Sequence, residues 1–341
     1  MDCTKATQTC QEVLTDRFQW KEAKAKTMRL YELYEAAGYH DYAVRTRDCA
    51  TYLQFGITSG GARKLRTANF CKLRLCPMCI SRRARRNAWQ LSRVLDLTEQ
   101  RHDARYLFLT LTIRNVDGEH LSDALQELTN AWRRFVKQRQ IERSVKGWFR
   151  AIEITRRGKG YHPHIHAILA VEPDYFSRES RQSGKYLNQT ELIDRWKDAL
   201  RAAYRPSVRI QTTKAKGEYT GKAKAAAEAG KYAVKDEEYI DPKIPESRAV
   251  EILTDYTRAL HRRRLTAFGG WLKDAARELE ADDLDDGDLI HTDAESIRDD
   301  VIELVETYSW RFGAGDYVLA ARELSPLVTV TEDGEIVPQT T

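Results

Sequence analysis

The tightest constraint on how this chain folds lies in His162-Pro163-His164-Ile165-His166. Three of its eight histidines fall there within five residues, directly ahead of the apolar run Ala167 to Val171. Alternating polar positions followed by an aliphatic segment fit a β-strand, whose side chains leave the backbone on opposite faces in turn. On such a strand His164 and His166 share a face, where two imidazoles can chelate one cation, and His162 joins them if the strand begins early enough. The competing reading is a polar strand edge with stacked, solvated histidines. Clustering of so sparse a residue favours the metal.

That strand needs partners. Trp148 to Thr155 is a second strand candidate, joined to Tyr161 to Val171 by the short, basic, glycine-containing loop Arg156 to Gly160, so the two read as a β-hairpin. Glu153 runs out of phase with Ile152 and Ile154 and faces away from their apolar side, which makes it a candidate third metal ligand. His162 competes for that place, because register across a loop is not fixed by sequence. Tyr106 to Ile113, rich in aromatic and β-branched residues, and Ser207 to Thr212 read as further strands. Helical patterns cover Asp16 to Ala37, Ile80 to Gln100, Leu121 to Gln140, Thr190 to Ala203 and Lys222 to Val234. Strands and helices mix without βαβ alternation, which predicts an α+β fold whose central antiparallel sheet carries the metal site and has helices packed on it. The chain divides into a helical N-terminal extension (1–48), a cysteine loop with a basic helix (49–103), a core (104–245) and a helical C-terminal region with an acidic segment (246–341).

Cys76 and Cys79 form a metal-chelating pair, with Cys71 just upstream and Cys49 farther back, giving four thiolates for one tetrahedral structural Zn²⁺. Free buried cysteines are the plainer alternative, but Pro77 inside the knuckle and the basic flanks fit a zinc loop better. Charge is distributed unevenly around this loop. Residues 61 to 105 carry twelve Lys/Arg against three Asp/Glu, whereas residues 278 to 306 carry thirteen Asp/Glu and one basic residue, Arg298. Arg63, Lys64, Arg66, Lys72, Arg74, Arg82, Arg83, Arg85 and Arg86 are therefore expected to form a phosphate-contacting surface that weakens with salt, with a merely solvated face as the alternative. No apolar run is long enough to span a bilayer and the first thirty residues are not signal-like, which predicts a cytoplasmic protein without a membrane partner.

In Glu228-Ala229-Gly230-Lys231-Tyr232-Ala233-Val234-Lys235 the spacings of four and three put Glu228, Tyr232 and Lys235 on one face of a helix. Alone, this is the pattern of a solvated, salt-bridged face. Downstream of a histidine chelate it completes a set for phosphodiester transfer: nucleophile, carboxylate and cation.

Phe108-Leu109-Thr110-Leu111-Thr112, then His164-Ile165-His166, then Tyr232-Ala233-Val234-Lys235, resemble in order the three motifs of the HUH endonuclease superfamily. Cys71-Lys72-Leu73-Arg74-Leu75-Cys76-Pro77-Met78-Cys79 and Arg264-Leu265-Thr266-Ala267-Phe268-Gly269-Gly270 narrow the resemblance to plasmid rolling-circle replication initiators (Rep) with one catalytic tyrosine. It runs from about Cys49 to Trp271. It implies that Tyr232 attacks the plus strand at a plasmid double-strand origin, leaving a 5′-phosphotyrosine and a 3′-OH for a polymerase to extend. It also implies that Glu228 activates water to end replication, that Lys235 steadies developing charge, and that His164, His166 and Glu153 hold Mg²⁺ or Mn²⁺. Beside a zinc loop in a chain that resembles a nickase, the basic surface has DNA as its expected partner, and a host helicase and DNA polymerase are the further implied partners. A transposase or relaxase using the same chemistry, or a zinc-dependent DNA-binding regulator that cuts nothing, are the alternatives.

Overall fold

Leu107, Leu109 and Leu111 are buried while Phe108, Thr110 and Thr112 between them are partly open, and this period of two organises the structure around a sheet. The computed structural model describes residues 12–15, 18–212, 226, 230, 233–292, 302–326, 328–330 and 336–338. In chain order the strands are β1 (Tyr52–Thr58), β2 (Arg63–Ala68), β3 (Arg105–Thr112), β4 (Gly147–Arg157), β5 (Gly160–Val171), β6 (Val208–Thr212), β7 (Thr266–Gly270), β8 (Ile302–Arg311), β9 (Asp316–Leu324) and the short pair β10 (Val328–Val330) and β11 (Ile336–Pro338). The helices are α1 (Trp20–Ala36), α2 (His40–Asp48), α3 (Pro77–His102), α4 (Leu121–Val136), α5 (Arg139–Ser144), α6 (Arg178–Gln182), α7 (Gln189–Leu200), α8 (Glu237–Ile240), α9 (Glu246–Leu260) and α10 (Trp271–Glu278). None of the helices among the described residues is long and apolar enough to cross a membrane.

The chain divides into two units, residues 1–79 with 294–341 and residues 80–293. In the first, α1 packs on α2, and an antiparallel sheet runs in the order β2-β1-β8-β9. The helical C-terminal region continues through α9 and α10, but β8 and β9 were not expected from the sequence. The reason lies in partial alternation: Glu306, Tyr308 and Trp310 are buried and Thr307 and Ser309 are not, a strand signature masked by the acidic residues before it.

The second unit is built on a fully antiparallel sheet in the order β6-β3-β5-β4-β7. One face buries Tyr106, Phe149, Ile168 and Ala170 against Leu91, Val94 and Leu95 of α3 and Leu272 and Ala276 of α10. On the opposite face Trp148 meets Trp132 of α4 edge-on, at 5.2 Å between ring centroids. Gly269 is required there because a Cβ would lie 2.2 Å from the Trp148 ring. The β4–β5 hairpin closes with Arg157 opposite Gly160, so only Gly158 and Lys159 form its loop, and Gly158 supplies a φ of +63°. This tight turn sets the register of everything behind it.

Candidate metal centres

Counting back from the turn, Glu153 lies directly opposite His164, and His166 lies opposite Ala151 on one side and Thr110 on the other. Glu153, His164 and His166 therefore project from one face of the sheet, at the end not covered by the helix core. The Nε2 atoms of His164 and His166 are 3.1 Å apart, and a Glu153 carboxylate oxygen lies 3.5 Å from the first and 2.9 Å from the second. Adjacent ligands of an octahedral cation with bonds of about 2.1 Å stand about 3.0 Å apart, so this spacing suits one ion held by three donors. Their side chains are 10–14% exposed, which shields the centre without sealing it.

The tautomers are arranged for the same purpose. His164 Nδ1 faces the carbonyl oxygen of His162 at 3.1 Å. A carbonyl only accepts, so Nδ1 carries the hydrogen and Nε2 presents its lone pair toward Glu153. His166 Nδ1 pairs with Thr110 Oγ1 at 3.2 Å, and Phe108 stacks beside the His166 ring. Burial pushes the Glu153 carboxyl up, but the hydrogen bonds and charges of His164 and His166 outweigh it and hold the group below the ordinary carboxylate range. His162 shares the face, yet its Nδ1 bonds Asn115 Oδ1 at 2.7 Å and it does not converge with the other three donors. Thr110 is a positioning group the sequence reading missed, and Asn115 engages the histidine that stays out of the set. Thr110 sits inside the strand motif, but only the register reveals its partner.

Tyr232 and Glu228 lie outside the described residues. Beside them, the Ala233 carbonyl accepts from the Ile154 N–H at 2.7 Å, one residue from Glu153, while Gly230 lies close against Ala88 of α3, where a Cβ would come within 2.9 Å of the Ala88 nitrogen. Lys235 is exposed ahead of α8.

In the first unit Cys49, Cys71, Cys76 and Cys79 converge. The Sγ separations are 3.7 Å for Cys49–Cys79, 3.7 Å for Cys71–Cys79 and 3.6 Å for Cys49–Cys76. A disulfide needs about 2.05 Å. Four sulfurs around a tetrahedral ion at about 2.3 Å stand about 3.8 Å apart, so the cluster has the dimensions of a tetrathiolate metal site. Burial pushes the Cys76 thiol up, but hydrogen bonds from Cys49, Cys71 and Cys79 prevail and hold it well below the ordinary thiol range. Lys24 is completely buried and donates from Nζ to the carbonyls of Arg47 (2.6 Å) and Cys49 (2.7 Å). Burial lowers the pKa of this ammonium, and the neighbouring thiolates work against that shift. A divalent ion with four thiolates would carry a charge of about −2, part of which the Lys24 ammonium would offset.

The expected phosphate-contacting surface needs correction. Arg82, Arg83 and Arg86 are no more than 5% exposed. Arg82 Nε donates to Leu289 O, Arg83 Nε to Asp285 O, and the two Arg86 terminal nitrogens to Asp288 O and Asp283 O, each at 2.9 Å. These arginines anchor the acidic segment through its carbonyls and cannot also face DNA. Arg63 is tied to Glu306 and to the Thr15 carbonyl. Lys64, Arg66 and Arg74 are half-buried, and Lys72 and Arg85 are exposed. A charge run on a helix does not say which of its faces is buried.

A family model described as "Replication protein" matches residues 62–318. Among curated proteins, the chain is similar to a "Protein rep" from Bacillus amyloliquefaciens, 31% identical over 88% of this chain and 93% of the relative. It is similar to another from Streptococcus pneumoniae, 30% identical over 80% and 83%. A "Replication protein" from Staphylococcus aureus is 35% identical over 64% of this chain and 92% of its own length. No solved structure matches the chain.

Proposed function

This chain belongs to the Rep family of plasmid replication initiators, and on that footing we propose that it is an HUH-type endonuclease that nicks one strand of a plasmid double-strand origin through Tyr232. The observation that carries the reading is the convergence of Glu153, His164 and His166 from two paired strands onto a single three-donor centre. These residues would hold Mg²⁺ or Mn²⁺, and the bound cation supplies charge neutralisation at the scissile phosphate. The Cys49, Cys71, Cys76 and Cys79 cluster would hold Zn²⁺ as a structural ion.

The chain's own groups divide the remaining work. The Tyr232 phenol oxygen attacks phosphorus, the bond to the 3′ oxygen breaks, and the leaving oxygen takes a proton to become the 3′-OH. The products are a 5′-phosphotyrosine and a primer end for a host polymerase, with a host helicase opening the duplex ahead. An ordinary phenol has a pKa near 10, so at pH 7 only about one in a thousand is ionised, and Lys235 would favour the phenolate. Glu228 would deprotonate the water that ends the cycle, unless a second strand transfer does so. Such a protein works in the bacterial cytoplasm, where plasmids replicate.

The test is incubation of the purified chain with labelled single-stranded origin DNA and Mn²⁺, followed by mass spectrometry of the covalent adduct. An adduct at Tyr232 is expected, together with a loss of cleavage of at least about 10³-fold in Tyr232→Phe with DNA binding retained. Glu228→Ala should still cleave but release product slowly. Cleavage that survives Tyr232→Phe would remove the nucleophile assignment.

A further inference from the structure

Arg150 and Trp148 precede Glu153 on β4 by an odd and an odd-plus-two spacing, so they leave the sheet on the face opposite the three-donor centre. There a cavity of about 460 Å³ is lined by Trp132, Arg133, Trp148, Arg150, Arg262 and Arg264, with no carboxylate among its lining residues. Arg150 is 4% exposed, and although one terminal nitrogen donates to the Leu265 carbonyl at 3.0 Å, its Nε has no partner among the described residues. Trp132 is 2% exposed and its Nε1 is likewise unpartnered. Both unpartnered atoms are sealed from solvent, so what these residues offer the cavity is the charge of the Arg150 guanidinium rather than a free donor.

The rim adds to this. Arg133, Arg262 and Arg264 are exposed, and neither Arg133 nor Arg262 forms an ion pair among the described residues. Arg262 is held at a φ of +50°, a left-handed conformation that costs a side chain of this kind about 1 kcal/mol or more. Burial lowers the Arg150 pKa to about 10, and the charges of Arg264 and Arg133 add to the shift while Asp285 opposes it. The Asp285 carboxylate is itself engaged by the backbone N–H of Leu265 at 2.8 Å. Concentrated positive charge and an indole wall suit a phosphate with an attached base.

We propose that this cavity binds a nucleotide unit of single-stranded DNA, with the arginines on the phosphate and the half-buried Trp148 against the base or sugar. Its size accommodates one nucleotide of a flexible strand, and contact of a base with the Trp148 ring requires a base free of pairing. The assignment uses the family's DNA but not the nicking chemistry, since the two sites lie on opposite faces of the sheet.

The test is fluorescence anisotropy of the full-length protein with labelled oligo(dT), without added divalent cation, across a salt series. Arg133→Glu with Arg262→Glu should weaken binding at least about tenfold and flatten the log–log salt slope by about 0.7 per lost phosphate contact. Arg139→Glu with Arg178→Glu reverses the same charge at exposed positions away from the cavity and should change affinity less than about threefold. The readout needs neither a divalent cation nor cleavage, so a failure of the nicking assignment leaves it unaffected. The proposal fails if the cavity pair leaves affinity and slope unchanged, or if the control pair weakens binding equally. It also fails if dTTP displaces the oligonucleotide nucleotide for nucleotide, which would make the cavity a free-nucleotide site.

Discussion

The cysteine cluster and the Glu153–His164–His166 centre gather ligands in opposite ways. Cys49, Cys76 and Cys79 are fully buried and Cys71 nearly closes the fourth side, with ligands drawn from the end of α2, a loop and the first turn of α3. Those segments have no ladder of their own to fix them, so an ion at their centre would fasten the local fold. Glu153, His164 and His166 instead stand on two strands already locked by a continuous antiparallel ladder, and the sheet holds them together with or without an ion. The first arrangement is that of a structural metal site, whose binding free energy is folding free energy. The second leaves coordination positions for something other than protein. Metal and fold should be strongly coupled in one unit and weakly coupled in the other.

The largest effect expected from this contrast is at the cysteines. Cys76→Ser should lower the zinc content of the purified protein by about one equivalent, read by elemental analysis, and unfold the first unit, since structural zinc sites contribute about 10 kcal/mol or more to folding. Retention of zinc and of a cooperative thermal transition in Cys76→Ser would contradict the structural role. The next effect should appear without unfolding. His164→Ala with His166→Ala removes two of three donors from a sheet that needs neither for its ladder, so Mn²⁺ affinity measured by titration calorimetry should fall by at least about 10³-fold. The thermal midpoint should move by no more than a few degrees. A collapse of the second unit in that variant would erase the distinction between the two centres.

Much of the second centre was legible in the sequence. The His164–Ile165–His166 alternation and the phase of Glu153 against its isoleucines placed all three on matching faces of a hairpin. What the sequence leaves open is whether Glu153 or His162 completes the set, because the basic, glycine-containing stretch Arg156 to Gly160 does not show where pairing stops. The turn is only two residues long, which pairs Glu153 with His164 and leaves His162 to Asn115. The basic helix failed for the opposite reason. Amphipathic spacing reports a helix, but Arg82, Arg83 and Arg86 are buried by a segment two hundred residues away whose carbonyls they satisfy. Likewise, nothing local announces that β8 pairs with β1, since the pairing joins opposite ends of the chain.

The smallest expected effect is the sharpest comparison, because each centre has one threonine behind a ligand. Thr110 Oγ1 contacts His166 Nδ1 at 3.2 Å, and Thr27 Oγ1 lies 3.7 Å from Cys76 Sγ. Thr110 orients a ligand whose other nitrogen faces the metal position. Thr110→Val should therefore weaken Mn²⁺ binding by about 10- to 100-fold while leaving the thermal midpoint almost unchanged. Thr27 is fully buried, donates to Ala23 O at 2.8 Å and accepts from the Met78 N–H at 3.4 Å, so its hydroxyl ties α1 to the first turn of α3, which carries Cys79. Thr27→Val should cost about 1–2 kcal/mol of stability, read by chemical denaturation, and keep its full equivalent of zinc. The two variants make the same exchange of hydroxyl for methyl, one beside a site the fold holds open and the other beside a site that holds the fold. If Thr110→Val destabilised the protein and Thr27→Val altered only metal affinity, the roles assigned to the two centres would have to be exchanged.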